Sequence, residues 1–243
     1  SRVEELKKLI EDILRISREV VERIARVAED IHRINRRDHM VLHEYVNAAG
    51  ITVEEILARK VSGTEAAEAL RDTIRRVVDE IRKLLEEHEK RSAELLEEIR
   101  KLLEDILRRS ERAVEEIREL LKKGVSTKDV LRIIEEILRE HLELLERVVR
   151  RIEEILRELL KTIEEIVKRI KEILEELKEV LKRGSVGDDE VEREIRRVKE
   201  DLDRILEEYR RLLEEIKRKL EEILRRVEEL HRRLRRKLEE IDR

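Results

Sequence analysis

The chain contains no proline, no cysteine, no tryptophan and no phenylalanine, and only five of its 243 residues are glycine. Without cysteine there is no disulfide framework, no thiolate metal ligand and no cysteine nucleophile. Globular domains ordinarily contain about 5% proline and about 7% glycine, which serve the turns between elements. Their scarcity here excludes a sheet protein with many turns and predicts a few long helices.

Long hydrophobic runs and an excess of one charge are also missing. No apolar run approaches the roughly 18 residues that a membrane-spanning helix needs. The formal net charge of −4 results from 63 acidic and 59 basic residues, which argues against a nucleic-acid or anionic-membrane partner. Ser1 opens directly on a polar helical pattern, so we expect no signal peptide. These features predict a soluble monomer, cytoplasmic on recombinant expression.

Glycines indicate where the helices end. Gly124 follows two lysines and precedes Ser126, a typical helix N-cap residue. Gly184 marks the last turn along the chain. The turn nearest the N-terminus could lie at Gly50 or at Gly63. We place it at Gly63 because that choice gives four helices of similar length. The predicted helices are 1–61, 65–123, 127–183 and 189–242.

The spacing of apolar residues between these turns is helical. Leucine, isoleucine and valine recur every three or four positions, as at Leu95, Ile99 and Leu102, with Glu, Lys and Arg between them. Each helix therefore has one apolar face to bury. Short turns make neighbouring helices antiparallel. The sequence predicts an all-α, single-chain, antiparallel up-down-up-down four-helix bundle whose helices are about 55 to 60 residues long.

Nine polar residues interrupt the apolar faces. When positions are counted outward from the three turns, they fall at two levels of the bundle. The first polar cluster consists of Ser17, Ser110, His141 and His231. The second polar cluster consists of Asn35, His88, Ser92, Thr162 and Tyr209.

These clusters allow two interpretations. Histidines can form a metal or acid–base site, but buried polar groups more often form hydrogen-bond networks that fix helix register. We expect metal-free networks without a cofactor, with His141 and His231 bonded to Ser17 or Ser110, and His88 near Thr162 or Tyr209. The sequence contains no phosphate-binding loop, nucleophile elbow or HExxH motif, so we expect no enzyme.

Residues 37–52 differ in composition from the rest of the chain. They hold the only methionine, one of two tyrosines and two of six histidines. Their apolar residues fit both the alternation of a strand and the spacing of a helix, so both structures stay open. The 37–52 segment comprises Arg37, Asp38, His39, Met40, Val41, Leu42, His43, Glu44, Tyr45, Val46, Asn47, Ala48, Ala49, Gly50, Ile51 and Thr52.

All sixteen residues of this segment resemble the engineered eleventh β-strand of green fluorescent protein, the small fragment of the split reporter. The resemblance implies that the segment pairs with the large ten-strand fragment and completes a β-barrel. It also implies that Leu42 and Val46 point into the barrel and that Glu44 assists chromophore maturation. The other ten strands and the chromophore-forming residues are missing, so we expect no fluorescence from the chain alone.

The uniform helices with matched polar levels resemble computationally designed bundles, and specifically the designed cage-and-latch switches. That resemblance implies a latch in residues 1–61, a cage in residues 65–243 and a key helix that displaces the latch. We therefore expect a switch that holds the 37–52 segment as helix and releases it to the ten-strand fragment. The alternatives are an inert designed bundle that carries the strand as a tag, and a natural coiled-coil or catalytic bundle. In the switch, Gly50→Ala is expected to favour the helix by about 1 kcal/mol and to tighten the cage.

Overall fold

A computed structural model describes residues 1–60, 65–183 and 189–242 of the chain. They form four long α-helices: α1 (Arg2–Lys60), α2 (Glu65–Lys122), α3 (Thr127–Arg183) and α4 (Asp189–Asp242). The described residues contain no β-strand. The prediction of an all-α, antiparallel four-helix bundle is confirmed, and the predicted helix ends differ from these by at most one residue.

Ion pairs and hydrogen bonds between neighbouring helices show the antiparallel order. Arg82 of α2 donates to Asn47 of α1, whereas Arg75, earlier in α2, pairs with Glu54, later in α1. Such exposed contacts add little stability, but they record the register. The same reversal of order relates Arg91–Glu158 to Glu80–Arg169, Lys171–Asp203 to Glu175–Lys199, and Arg37–Glu208 to Arg59–Glu190.

The helix contacts divide the chain into two units. Unit 1 consists of Ser1–Ile31, Leu95–Leu156 and Glu215–Arg243, and unit 2 consists of His32–Glu94 and Arg157–Glu214. Each unit has its own core of aliphatic side chains contributed by all four helices. Fully buried examples are Ile24, Ile99, Leu138 and Leu220 in unit 1 and Leu42, Leu85, Ile170 and Leu202 in unit 2.

The turn between α2 and α3 follows the prediction. Gly124 has a φ of +74°, in the left-handed region that favours glycine. The Val125 and Gly124 amides donate to the carbonyls of Leu120 and Leu121, the two bonds of a Schellman motif. Ser126 then caps α3, because its Oγ accepts a hydrogen bond from the Asp129 amide at 3.3 Å.

The first turn does not lie at Gly50, because α1 continues as helix from Arg2 to Lys60. The preferred turn residue, Gly63, lies outside the described residues, as do Gly184 and Gly187. The continuity of α1 places the whole 37–52 segment in unit 2 as helix. The sequence of the segment permits a strand or a helix, and in this chain the segment is a helix.

Candidate functional site

The 37–52 segment uses the helical spacing of its apolar residues for packing. Leu42 and Val46 have 0% and 5% of their surface exposed, and Ala49 is also buried. Because these three residues are three or four positions apart, they share one face of α1. Met40 and Ile51, by contrast, are each 57% exposed. The segment thus buries the residues that fit a helix stripe and leaves other apolar residues at the surface.

Polar side chains of the segment contact α2 and α4. The Tyr45 hydroxyl donates to Asp201 Oδ2 at 2.5 Å, and the Arg197 guanidinium lies 5.9 Å from the Tyr45 ring centroid. Burial raises the pKa of Tyr45, so the phenol remains a donor. On the other side, Arg82 donates to Asn47 Oδ1 at 2.6 Å. These contacts hold the helical segment against two neighbouring helices.

Gly50 lies at a close approach between α1 and α2. A Cβ atom built on Gly50 would lie 2.8 Å from Val78 Cγ2, shorter than a normal carbon–carbon contact. An apolar cavity of about 40 Å³ adjoins this point, and its lining includes Val46, Val53 and Ile74. The segment therefore packs tightly at Gly50 itself and incompletely beside it.

His39 joins the five predicted residues of the second polar cluster, because it forms a hydrogen-bonded pair with His88. His39 Nε2 lies 2.5 Å from His88 Nδ1, and His88 Nε2 lies 3.3 Å from the Leu159 carbonyl oxygen. His88 was expected near Thr162 or Tyr209, and its recorded hydrogen-bond partners are His39 and the Leu159 carbonyl, three residues before Thr162 on α3. His39 is four residues beyond Asn35 and so on the same face of α1; that spacing was the available signal, but the strand pattern of the segment obscured it.

The hydrogens in this pair can be assigned from their acceptors. A carbonyl oxygen can only accept, so His88 Nε2 carries a hydrogen and neutral His88 must accept at Nδ1. His39 Nε2 then donates to it, which leaves His39 Nδ1 as an acceptor that has no hydrogen-bond partner. Burial, together with His88 and His43, lowers the pKa of His39 to about 3, and burial also lowers the pKa of His88.

Asn35 and Tyr209, two members of this cluster, are hydrogen bonded to each other, and the Asp38 carboxyl group lies close enough to influence Tyr209. The Tyr209 hydroxyl donates to Asn35 Oδ1 at 2.6 Å. Asp38 is 7% exposed, and its Oδ2 and Asn35 Nδ2 have no hydrogen-bond partner. Burial raises the pKa of Asp38 to about 6 against the lowering effect of Arg37, and burial with the nearby Asp38 raises the pKa of Tyr209. Asp38 is thus an unfavourably buried carboxyl group.

In the first polar cluster, the predicted bond between His141 and Ser17 is present. Ser17 Oγ lies 2.8 Å from His141 Nε2, and His141 Nδ1 lies 3.1 Å from His231 Nε2. His231 Nδ1 lies 2.8 Å from the Val227 carbonyl oxygen and must carry a hydrogen. With neutral rings, Ser17 therefore donates to His141, His141 to His231, and His231 to Val227. Burial lowers the pKa of His141 to about 3 and also lowers the pKa of His231.

The remaining three hydroxyls donate within their own helices. Ser92, Ser110 and Thr162 donate to the carbonyl oxygens four residues earlier, those of His88, Ile106 and Glu158. Ser92 and Ser110 are buried and Thr162 is half-buried. These residues lie on or beside the buried faces as predicted, but their donated hydrogen bonds do not join neighbouring helices.

Neither cluster has the donor set of a metal centre. Among the described residues, no group of three or more His, Asp or Glu side chains could hold a metal ion. No described helix is both long and apolar enough to span a membrane. Comparison with known proteins gives no match, since no family model, curated protein or solved structure is significantly similar to the chain.

Proposed function

We propose that the chain is a switch that holds the 37–52 segment as helix and releases it to the ten-strand fragment of split green fluorescent protein. The function is binding rather than enzymatic. One observation supports it above the others: Leu42 and Val46 are buried in the bundle. These are the two residues that the strand resemblance directs into the barrel. The same side chains cannot occupy both places.

The backbone hydrogen bonds of the segment likewise make its helical state and its strand pairing mutually exclusive. Partners that add a strand to a sheet edge bind the main-chain N–H and C=O groups of the incoming peptide. In α1 these groups bond four residues along the same helix. The segment must therefore leave its helical state before it can pair with the ten-strand fragment.

The equilibrium between the closed and open bundle determines how far the apparent affinity for the ten-strand fragment is lowered. If the closed bundle is favoured by about 5 kcal/mol, the apparent affinity for the fragment falls by roughly four orders of magnitude. Helix propensity opposes closure: Gly50 costs about 1 kcal/mol in a helix, and the β-branched residues of the segment some tenths each. Burial of Leu42, Val46 and Val53 offsets this, at about 1.5 to 3 kcal/mol per side chain.

A variant outside the segment tests the proposal without changing the strand. Ile56 of α1 is 2% exposed, and Ile56→Asp would place an unpaired charge in the core of unit 2. We expect faster complementation of the ten-strand fragment by this variant than by the parent chain. Glu55→Gln, at an exposed neighbouring position, is the matched control and should complement at the parental rate.

The competing function is that of an inert bundle that carries the strand as a tag. The exposure of Met40, Val41 and Ile51 favours it, because these residues are accessible before any opening. In that case Ile56→Asp and Glu55→Gln would complement equally fast. The switch further implies that a key helix, such as a peptide equivalent of α1 without the segment, competes with α1 and accelerates complementation.

A further inference from the structure

We propose that mild acid opens α1, because each polar cluster ties α1 to its neighbours through a histidine pair that is hydrogen bonded as neutral rings. This adds a proton-dependent trigger to the switch and rests on the proposed function for its biological meaning. In unit 1 the tie runs from Ser17 of α1 to His141 of α3 and His231 of α4. In unit 2 it runs from His39 of α1 to His88 of α2.

Two carboxylates border the first cluster: Glu116 of α2 and Glu140 of α3 line a cavity beside His141, together with Arg109 and Arg112. Neither carboxylate is among the causes that shift the pKa of His141, which is lowered by burial and by His231. The groups hydrogen bonded to the pair are the Ser17 hydroxyl from α1 and the Val227 carbonyl from α4, and Ser110 of α2 lines the same cavity. The charged residue that influences His231 is Arg235, which carries the same sign as an imidazolium. The rings themselves are stacked, with centroids 5.2 Å apart. A proton on either ring would therefore be a buried charge whose recorded hydrogen-bond partners include no carboxylate.

The second cluster is similar except for one carboxyl group. His39 and His88 meet edge to face, with ring centroids 4.7 Å apart, and His43 on α1 adds charge of the same sign. Leu159 and Thr162 face the cluster from α3 with a carbonyl and a hydroxyl group, and Tyr209 faces it from α4. The charged neighbours of Asp38 are Arg37 and Glu208. No hydrogen bond from Asp38 to the His39 or His88 ring is recorded in the structure. A doubly protonated pair would also bring two N–H groups face to face.

The sign of the pH effect follows from the neutral rings. Their pKa values are lower in the closed bundle than the ordinary 6.5, so their contribution to stability is complete above pH 6.5 and is lost as the pH falls below it. At pH 4.5 each of His39 and His141 would shift the closed–open equilibrium by about 100-fold towards open. Asp38 acts in the other direction by about 25-fold between pH 7 and pH 4.5. Opening prevails by roughly 300-fold.

Hydrogen exchange of α1 amides between pH 7 and pH 4.5, corrected for the intrinsic exchange rate, tests this on the full chain. We expect the opening constant of α1 to rise by about 300-fold in the parent chain. In the double variant His141→Leu with His231→Leu, which keeps the core apolar, the rise should shrink to about 3-fold. His32→Asn, at an exposed histidine of the same helix, is the control and should behave as the parent.

Equal rises in the parent and the double variant would overturn the acid trigger. Should the double variant fail to fold, an NMR titration of the histidine rings in the parent chain takes its place. If the four buried histidines titrate near pH 6.5 while the α1 amides stay protected from exchange, the acid trigger is also overturned. Capture of the ten-strand fragment, relative to the free 37–52 peptide at each pH, separates the two proposals. Acid opening without faster capture contradicts the switch, whereas slow capture with pH-independent opening contradicts only the acid trigger.

Discussion

Gly50 of α1 and Val78 of α2 approach so closely that a Cβ atom on Gly50 would lie 2.8 Å from Val78 Cγ2. Helix propensity alone predicted that Gly50→Ala would stabilise α1 by about 1 kcal/mol. The added methyl group, however, requires Val78 to move, and a β-branched side chain in a helix has one strongly preferred rotamer. Overpacking of this kind costs about 1 to 3 kcal/mol. The expectation that this substitution tightens the cage is therefore corrected.

The sign of the Gly50→Ala effect should depend on residue 78. In the parent chain we expect Gly50→Ala to lower the free energy of unfolding by up to about 2 kcal/mol and to speed complementation. In a Val78→Ala background, where the obstructing methyl groups are gone, the same substitution should raise it by about 1 kcal/mol. Chemical denaturation of the four chains in this cycle measures the coupling. Equal effects in both backgrounds would contradict the close contact.

Removing the Tyr209 hydroxyl should be more harmful than removing both partners of its hydrogen bond. Tyr209→Phe leaves the buried Asn35 Oδ1 without its donor, which costs about 1 to 3 kcal/mol. Adding Asn35→Leu removes the orphaned acceptor and the unpartnered Nδ2 together. The double variant should therefore be more stable than Tyr209→Phe, by about 1 kcal/mol or more in the free energy of unfolding measured in urea. A double variant that is less stable than the single one would contradict this description of the cluster.

Asp38 should destabilise the closed chain at neutral pH. Its pKa is raised to about 6 in the bundle from 3.8, so stability is lost as the pH rises through this interval. We expect Asp38→Asn to increase the free energy of unfolding by about 1 to 2 kcal/mol at pH 7.5. The gain should become small near pH 4, where the carboxyl group is protonated in the closed bundle. A gain that is independent of pH would point to packing rather than charge.

The sequence allowed the fold and the two polar levels to be predicted, because glycine positions and apolar spacing act locally and reappear in each helix. It did not reveal the His39–His88 pair, since the strand-like alternation of the 37–52 segment competed with its helical spacing. The conflict between Gly50 and Val78 depends on the distance between two helices, which no local pattern encodes. The donated bonds of Ser92, Ser110 and Thr162 were missed for a related reason: a hydroxyl on a buried face can also bond within its own helix.

The 37–52 segment and the residues after it should be the least protected part of unit 2. Their helix propensity is poor, and the cavity beside Gly50 reduces their packing. Amides from Met40 to Val53 should therefore exchange faster than those of Glu164–Leu177 in α3, which include the facing cavity residues Ile170, Leu174 and Leu177. Hydrogen exchange with mass or NMR detection makes this comparison within one sample. Equal protection from amide exchange in these stretches of α1 and α3 would contradict the proposal that α1 is the helix that opens.

The rate at which the intact chain complements the ten-strand fragment tests the central claim most directly. Fluorescence development is followed at neutral pH with excess fragment, and the free 37–52 peptide is the reference at the same concentration. Because only the open population of α1 can pair, we predict that the intact chain is slower by a factor on the order of 100 or more, with Ile56→Asp between the two. Complementation by the intact chain at the rate of the free peptide would contradict the switch and identify the segment as a tag.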